Sequence, residues 1–558
     1  IIYRYEHAKI REERKQEIAR KIEQHELSVT KRSGKREVFS LDKIRRTLGY
    51  HMAGIEKDID IEAILRQCRL EVYDGISTRD VARVLTMIVR SMIEHDPAYS
   101  KLASNLLLDR LYRDVLGADV TKETLAERHK QVFQRNILWG VRKGVFDPRM
   151  LSFDLEKLAD LFVIDNDQLF EYMGLEILSS RYLLEDPETK QPMETPQMLW
   201  MRIAMGTSLP ESDAKRDEMA KDFYWVLSAF LYTPGGRTLF QAGMVKAQLS
   251  NCFLNVVPDS LDLIFKTYSD NAQLLKWSGG TGSSWTPVRA TGSFIKGTGV
   301  GSQGVVPFLK IANDVNVSIN RSGKRRGAGC VYLETWHYDI EDFLELRKNT
   351  GDERRRTHDI DTANWIPDLF MKRVRDGKNW TLFSPDETPD LHELYGKEFE
   401  KRYEDYERRA EQGEMKLWRT VVAKDLWKKM LTMLFETGHP WITWKDPSNL
   451  RSPQDHAGVV HSSNLCTEIT LNTSADETAV CNLGSLNFAK FVVNGAFDQN
   501  LIAKVTRIAV RMLDNVIDIN YYPIPEARRS NMRHRPLGLG IRGYHDALYL
   551  LNINFDSK

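Results

Sequence analysis

The sequence predicts an α/β protein whose chemistry lies in its strand-rich C-terminal half. From residue 241 onward, short apolar runs alternate with helical stretches. The runs are SNCFL at 250–254, GCVYL at 329–333, WTLF at 380–383 and WITW at 441–444. Such alternation is the pattern of parallel strands covered by helices, in a barrel or an open sheet. A second observation is that residues 118–240 are mostly helical in pattern. A third is that residues 28–117 read as a separate small domain of helices with one β-hairpin.

Residues 1–27 are rich in Arg, Lys and Glu and read as an exposed helical extension or a partly ordered tail, without catalytic groups. In the small domain, residues 27–31 and 37–39 form the two hairpin strands around the turn Arg32-Ser33-Gly34-Lys35. Ser40 caps the helix that follows, and further helices are expected near 60–71, from Thr78, and near 98–115. In the helical segment, Glu194-Thr195-Pro196-Gln197 precedes an amphipathic run to Met205. Asp222–Trp225 lie in another helix, which ends before Thr233-Pro234-Gly235-Gly236. Residues 385–420 read as exposed helix, and 521–525 and 535–540 as turn-rich segments.

Composition narrows the functional classes. The formal net charge is +1, so no global field favours nucleic acid or a membrane, and any anion site must be local. Five cysteines, with no CxxC pair and no zinc-type spacing, argue against a disulfide framework or structural zinc and fit a reducing cytosol. No apolar run reaches membrane-spanning length. The chain begins at Ile1 rather than Met, so residues before it are expected to be missing.

The stretch NLCTEITLNTSADETAVCN, residues 464–482, concentrates reactive side chains. Read as two strands, it puts Asn464, Cys466 and Glu468 on one face by the two-residue period. Cys481 follows on the next strand. The plainer reading is one buried structural cysteine on each strand, but the amide and carboxylate on the same face count against it. Cys252 has apolar neighbours and reads as a buried inert thiol. Two glycine loops, RATGSFIKGTGVGSQG at 289–304 and NRSGKRRGAG at 320–329, carry cations suited to phosphate or base recognition, with solvated flexible loops as the alternative. Gly279-Gly280-Thr281-Gly282 lets a backbone approach a ligand, yet has neither Rossmann nor P-loop spacing.

Two resemblances sharpen this. VTKRSGKREVFSLDKI followed by VYDGISTRDV resembles the ATP-cone domain, a regulatory module at the N-terminus of many ribonucleotide reductases. It implies adenine-nucleotide contacts at Lys31, at Glu37 through Lys43, and at Thr78. A further family lysine falls near Arg113, where the match is poor. SNLCTEI, AVCNLGSL, SNCFL, the two glycine loops and PIPEARRSNMRHRPLGLG resemble the catalytic subunit of ribonucleotide reductase. NLCTE points to class I, since the Pro-Cys-Gly-Glu of the cobalamin-dependent class is absent.

The resemblance implies an incomplete ten-stranded α/β barrel after the helical domain. It implies that Cys466 becomes a thiyl radical, that Glu468 is the general base, and that Asn464 holds the sugar hydroxyls. Cys252 and Cys481 would supply the reducing equivalents and end as a disulfide, while Cys68 and Cys330 match nothing catalytic. Thr238, Asn251, Cys252 and Gly280 would face substrate. An allosteric specificity site would fall on Asp259, Ser260, Leu261, Arg289 and Lys296, with Arg326 relaying effector identity. Lys296 stands where some relatives have arginine, which keeps the charge but loses the bidentate fork.

ATP, dATP and deoxynucleoside triphosphates are the implied effectors, with no metal in this chain. Implied partners are a small radical-generating metalloprotein subunit, a second large subunit, and thioredoxin or glutaredoxin. Neither nucleic acid nor membrane is expected, and the location is cytoplasmic. The later barrel strands, a substrate-phosphate loop, the radical-transfer tyrosines and a mobile cysteine pair do not follow. A truncated chain or half of a split subunit, unable to turn over alone, is therefore expected. The rival readings are a cobalamin-dependent reductase and a nucleotide-binding regulatory fragment.

Overall fold

Strand β1 (Ser28–Thr30) pairs antiparallel with β2 (Arg36–Val38) across a turn in which Gly34 takes φ 82°, a conformation only glycine adopts freely. The computed structural model that shows this describes residues 17, 18, 20–22, 24, 26–319 and 328–557. Helices α1 (Leu41–His51), α2 (Ile61–Glu71) and α3 (Thr78–Ser91) each start at a side-chain cap. Ser40 Oγ, the Asp60 carboxylate and Ser77 Oγ accept the N–H of Lys43, Ala63 and Asp80. The third cap is therefore Ser77, one residue before the expected start. Strand β3 (Ile76–Ser77) joins β1 in parallel; at two residues it is too short to leave a pattern. Helix α4 (Ala98–Leu116) closes this region.

The contacts divide the chain into two units. One ends at Tyr232 and takes in Ala242–Val245; the other holds Thr233–Gln241 and the chain from Lys246 on. In the first unit lie α5 (Leu125–Arg142), α6 (Pro196–Ser208) and α7 (Asp213–Ser228). Helix α6 departs from expectation: every one of its residues is buried, so it is a central helix and not an amphipathic one. Its Arg202 is tolerated there because Glu194 meets Nε at 2.6 Å and Nη2 at 3.1 Å, while Nη1 donates to the Ala242 carbonyl at 2.8 Å.

After the short β4 (Tyr232–Pro234) and α8 (Gly236–Gln241), the second unit builds a six-stranded sheet. Its strands are β5 (Cys252–Val256), β6 (Gly280–Ser284), β9 (Ala328–Glu334), β10 (Asp361–Ile366), β13 (Trp441–Trp444) and β14 (Ala479–Val480). The order is β13-β10-β9-β6-β5-β14. The first five run parallel, and β14 is antiparallel to β5. Helices α9 (Leu261–Lys276) and α10 (Val306–Ile319) are crossovers, and between them β7 (Thr291–Phe294) and β8 (Gly301–Gln303) form a hairpin. Val331, Leu333 and Ile366 join the large apolar core on one side of the sheet. Cys330, Tyr332, Ala363 and Trp365 form a separate cluster.

Several sequence readings change here. The 380–383 run is β11 (Asn379–Phe383), but it pairs antiparallel with β12 (Trp418–Val422) in a separate two-stranded sheet. Within 385–420, α11 (Gly396–Glu411) buries Phe399, Tyr403, Tyr406 and Ala410, so it is amphipathic rather than simply exposed. Beyond β14, β15 (Leu483–Asn487) pairs in parallel with β18 (Gly538–Arg542), inside a stretch read as turns. Between these two strands lie a hairpin of β16 (Val492–Val493) and β17 (Ala496–Phe497), then α12 (Gln499–Ile519) and α13 (Pro525–His534). Among the described residues the sheets do not close into a ring, and no helix is long and apolar enough to cross a membrane.

Arg202→Met leaves the Glu194 carboxylate buried without its partner. It should lower stability by about 3–5 kcal/mol in urea unfolding, most of which the double variant Glu194→Gln/Arg202→Met recovers.

Candidate active site

Cys252 opens β5 and Cys481 follows β14. The antiparallel register pairs Ala479 with Leu254 and Val480 with Phe253, so the next pair is Cys481 with Cys252. The Cys481 N–H donates to the Cys252 carbonyl at 3.1 Å. Directly opposed residues of an antiparallel ladder have Cα atoms about 4.5–5.5 Å apart, within the span a disulfide bridges. Both side chains are thiols and both are buried. Burial pushes the Cys481 thiol well up, and the neighbouring Cys252 sulfur and Glu468 carboxylate add to the shift.

The segment 464–468 is not a strand. Asn464 to Thr467 is a turn, closed by the Thr467 N–H donating to the Asn464 carbonyl at 3.3 Å. The two-residue period therefore does not apply, and the side chains separate by depth. Asn464 is fully buried, while Cys466 and Glu468 are exposed. Thr467 sits at φ 64°, a costly conformation for a β-branched residue that the surrounding contacts must hold.

Asn464 is the hub. Its Nδ2 donates to Cys252 Sγ at 3.0 Å. Its Oδ1 accepts from the Ile469 N–H at 3.1 Å and the Ser463 hydroxyl at 3.2 Å. Its carbonyl accepts the Tyr332 hydroxyl at 2.6 Å. The structure thus gathers Cys252, Cys481, Asn464 and Glu468 into one place, with Cys466 at the surface of the same turn.

Gly282 makes this possible: a β-carbon there would lie 2.0 Å from the Ser463 carbonyl oxygen and 2.7 Å from Asn464 Cα. The close backbone approach read into Gly279–Gly282 is real, but the approaching backbone is the chain's own. Gly280 lies opposite Cys252 in the sheet, and its N–H donates to the Asn251 carbonyl at 2.8 Å. Asn251 Oδ1 accepts the Arg237 N–H at 2.9 Å, and the buried Thr238 hydroxyl donates to the Leu249 carbonyl at 3.1 Å. Asn251 and Thr238 therefore brace the entry to β5.

Of the anion-site residues, Arg289 is tied to Asp259 by Nε at 2.9 Å and by its backbone N–H at 3.2 Å. Ser260 precedes α9, and Leu261 is exposed. The first glycine loop is the tip of the β7–β8 hairpin, where Gly297 and Gly299 take positive φ and Lys296 is exposed. Asp339, which the sequence does not single out, ties the base by accepting the N–H groups of Thr291 and Val305, each at 3.1 Å. Arg326 lies outside the described residues.

In the N-terminal region, Lys31 (2.7 Å) and Lys43 (3.1 Å) converge on Glu37, and the Lys31 hydrogen bond, then that of Lys43, holds its carboxyl below the usual range. Thr78 is half-buried at the start of α3. Arg113 is turned to Asp109 at 2.8 Å. Among the described residues no cluster of three or more His, Cys, Asp or Glu could hold a metal ion.

Sequence reasoning also missed Tyr332, Glu334, His392, Lys445 and His461, all buried. The signal available was Lys445, a charge directly after the apolar run WITW.

Residues 250–558 match the ribonucleotide reductase barrel domain, and residues 168–247 its all-alpha domain. The ribonucleoside-diphosphate reductase subunit alpha of Chlamydia pneumoniae is 51% identical over 502 residues, 90% of this chain and 48% of its own. That of Chlamydia trachomatis is 47% identical over 560 residues, covering 100% of this chain and 53% of its own. The ribonucleoside-diphosphate reductase large subunit of Variola virus is 37% identical over 540 residues, covering 95% and 67%. The chain spans about half the length of the chlamydial relatives.

Mass-spectrometric mapping with iodoacetamide at pH 8 should label Cys466 first and leave Cys68, Cys330 and Cys481 unlabelled in the folded chain, because burial raises those three thiols. Gly282→Ala should cost about 1–3 kcal/mol in urea unfolding, since only backbone faces the added methyl. Gly49→Ala, in open space on α1, should be neutral or stabilising.

Proposed function

The chain belongs to the ribonucleotide reductase large-subunit family, and we propose that it is the catalytic portion of a class I ribonucleoside-diphosphate reductase. One observation carries this reading: the Asn464 amide bonds the Cys252 sulfur, whose ladder partner is Cys481, inside the turn that bears Cys466. A nucleoside diphosphate would lie over this turn. Cys466, as a thiyl radical, takes the 3′ hydrogen, and Glu468 accepts the 3′-hydroxyl proton. The 2′-hydroxyl leaves as water with a proton from the thiol pair, whose second hydrogen goes to C2′, and Glu468 returns its proton to the 3′ oxygen. Cys252 and Cys481 give up two electrons and become a disulfide, and Cys466 returns its hydrogen to C3′. Asn464 fixes the geometry, and Thr238, Asn251 and Gly280 line the substrate side.

The radical arises on a separate small metalloprotein subunit, and thioredoxin or glutaredoxin reduces the disulfide. Lys31, Glu37, Lys43 and Thr78 belong to an ATP-cone that binds ATP or dATP. Asp259, Ser260, Leu261, Arg289, Lys296 and Arg326 form the specificity site for deoxynucleotide effectors, in a homodimer. The barrel of ten strands is completed by polypeptide equivalent to the remainder of the longer relatives.

The decisive test joins this chain with that polypeptide and a radical-generating small subunit, then measures CDP reduction with ATP and reductant. Turnover is expected, and Cys466→Ser should abolish it while effector binding persists. Reduction dependent on adenosylcobalamin, or no reduction at all, would overturn the reading. Arg289→Ala should weaken deoxynucleoside triphosphate binding by about tenfold in a filter-binding assay, the loss of one charge-assisted contact.

A further inference from the structure

At the C-terminal ends of the parallel strands the sheet carries a buried charge cluster that the proposed chemistry does not use. Glu334 ends β9 and Lys445 directly follows β13; both side chains are fully buried. Four hydrogen bonds converge on the Glu334 carboxylate. Lys445 Nζ donates to Oε1 at 2.9 Å and Oε2 at 2.8 Å, Trp336 Nε1 to Oε2 at 2.6 Å, and His392 Nδ1 to Oε1 at 2.6 Å. Lys445 also donates to the carbonyls of Leu391 at 2.9 Å and His392 at 3.3 Å. The other ring nitrogen of His392, Nε2, lies 3.3 Å from the Ser284 hydroxyl. Every polar atom of this ion pair is satisfied, which is the condition for burying one.

The cluster is joined to the reactive turn through one segment. The ring of His461 stacks on that of His392, with centroids 4.4 Å apart and planes inclined by 27°. His461 Nε2 meets Glu393 at 3.0 Å and Nδ1 meets the Thr473 hydroxyl at 2.9 Å. From there the chain runs Ser462, Ser463, Asn464, crossing Gly282 and reaching Cys252 at the opposite ends of the strands. The Tyr332 hydroxyl holds the far end through the Asn464 carbonyl. Val460, one residue before His461, packs in the cluster with Tyr332 and Trp365 and exchanges two backbone hydrogen bonds with the Asn449 side chain.

We propose that His461, stacked on the Glu334–Lys445–His392 cluster and tied to Glu393, is a positioning residue that sets the depth and orientation of Cys466, with Tyr332 as the second tether. This deepens the reductase reading and rests on Cys466 being the radical thiol. His461 touches no reacting atom. It fixes one end of a short segment whose other end carries the thiol, so a displacement at the ring is transmitted along the four residues Ser462 to Leu465.

The test compares iodoacetamide labelling of the 558-residue chain as wild type, His461→Phe, His461→Gln and Tyr332→Phe. His461→Phe keeps a ring for stacking and loses both hydrogen bonds, whereas His461→Gln keeps an N–H that can reach Glu393. The expected result for His461→Phe is a change of about threefold or more in the Cys466 labelling rate, with Cys330 of the same unit still protected. His461→Gln should return the rate toward wild type. In the completed holoenzyme, His461→Phe should lower kcat about tenfold or more with KM for CDP little changed.

Wild-type Cys466 labelling in a folded His461→Phe chain would overturn the proposal. If His461→Phe exposes Cys330, which is buried in the same unit, and so fails to fold, Tyr332→Phe decides: altered Cys466 labelling supports the tether, and unchanged labelling overturns it. Labelling needs no turnover. A wild-type holoenzyme that reduces no CDP would sink the reductase reading and leave the positioning result intact.

Discussion

A backbone carbonyl that would lie 2.0 Å from a β-carbon leaves room only for hydrogen, and on that constraint at Gly282 the site is built. The segment carrying Asn464 lies directly on the backbone of β6 instead of on a layer of side chains. This brings the Asn464 amide within 3.0 Å of the Cys252 sulfur on the neighbouring strand. Any larger residue at 282 would lift the turn away from both cysteines. Three residues earlier, a β-carbon at Gly279 would meet the Phe253 ring at 2.7 Å.

Strands rich in β-branched and aromatic residues were legible, and strands rich in glycine were not. The runs at 250–254, 329–333 and 441–444 became β5, β9 and β13 close to their expected bounds. β6 (GTGSS) and β18 (GLGIR) do not read as strands because glycine and serine lack strand propensity. Their glycines serve close approach instead: a β-carbon at Gly538 would lie 2.5 Å from Leu483 Cδ2. The residues of the site were legible as a constellation, yet their local geometry was not. Alternation across 464–468 looked like a strand, whereas a turn with Thr467 at positive φ carries the group. Tyr332 and His461 left no trace because their roles arise from contacts 132 and 68 positions distant in sequence, to Asn464 and Glu393.

The placement of the site on the sheet also differs from the usual arrangement of parallel α/β proteins. Ligands in such sheets gather beyond the carboxyl ends of the strands. Here those ends hold the fully buried Glu334–Lys445 ion pair, with Ser284 beside its His392 partner, and the cysteines occupy the amino end of β5 and the edge with β14. The segment from His461 to Asn464 connects the two ends across the sheet, so the charged end and the thiol end form one mechanical unit.

The opposition of Cys252 and Cys481 across an antiparallel ladder has a consequence for redox cycling. Their backbones are already joined by a hydrogen bond at 3.1 Å, so forming a sulfur–sulfur bond asks for side-chain rotation and little else. On the proposed reductase reading, oxidation and reduction of this pair would exchange two states of nearly equal shape, and the energy of each cycle would be set by the thiol couple that reduces it and not by refolding of the scaffold. A chain that must be re-reduced after every event would in this way age by chemistry alone, without mechanical wear on its sheet.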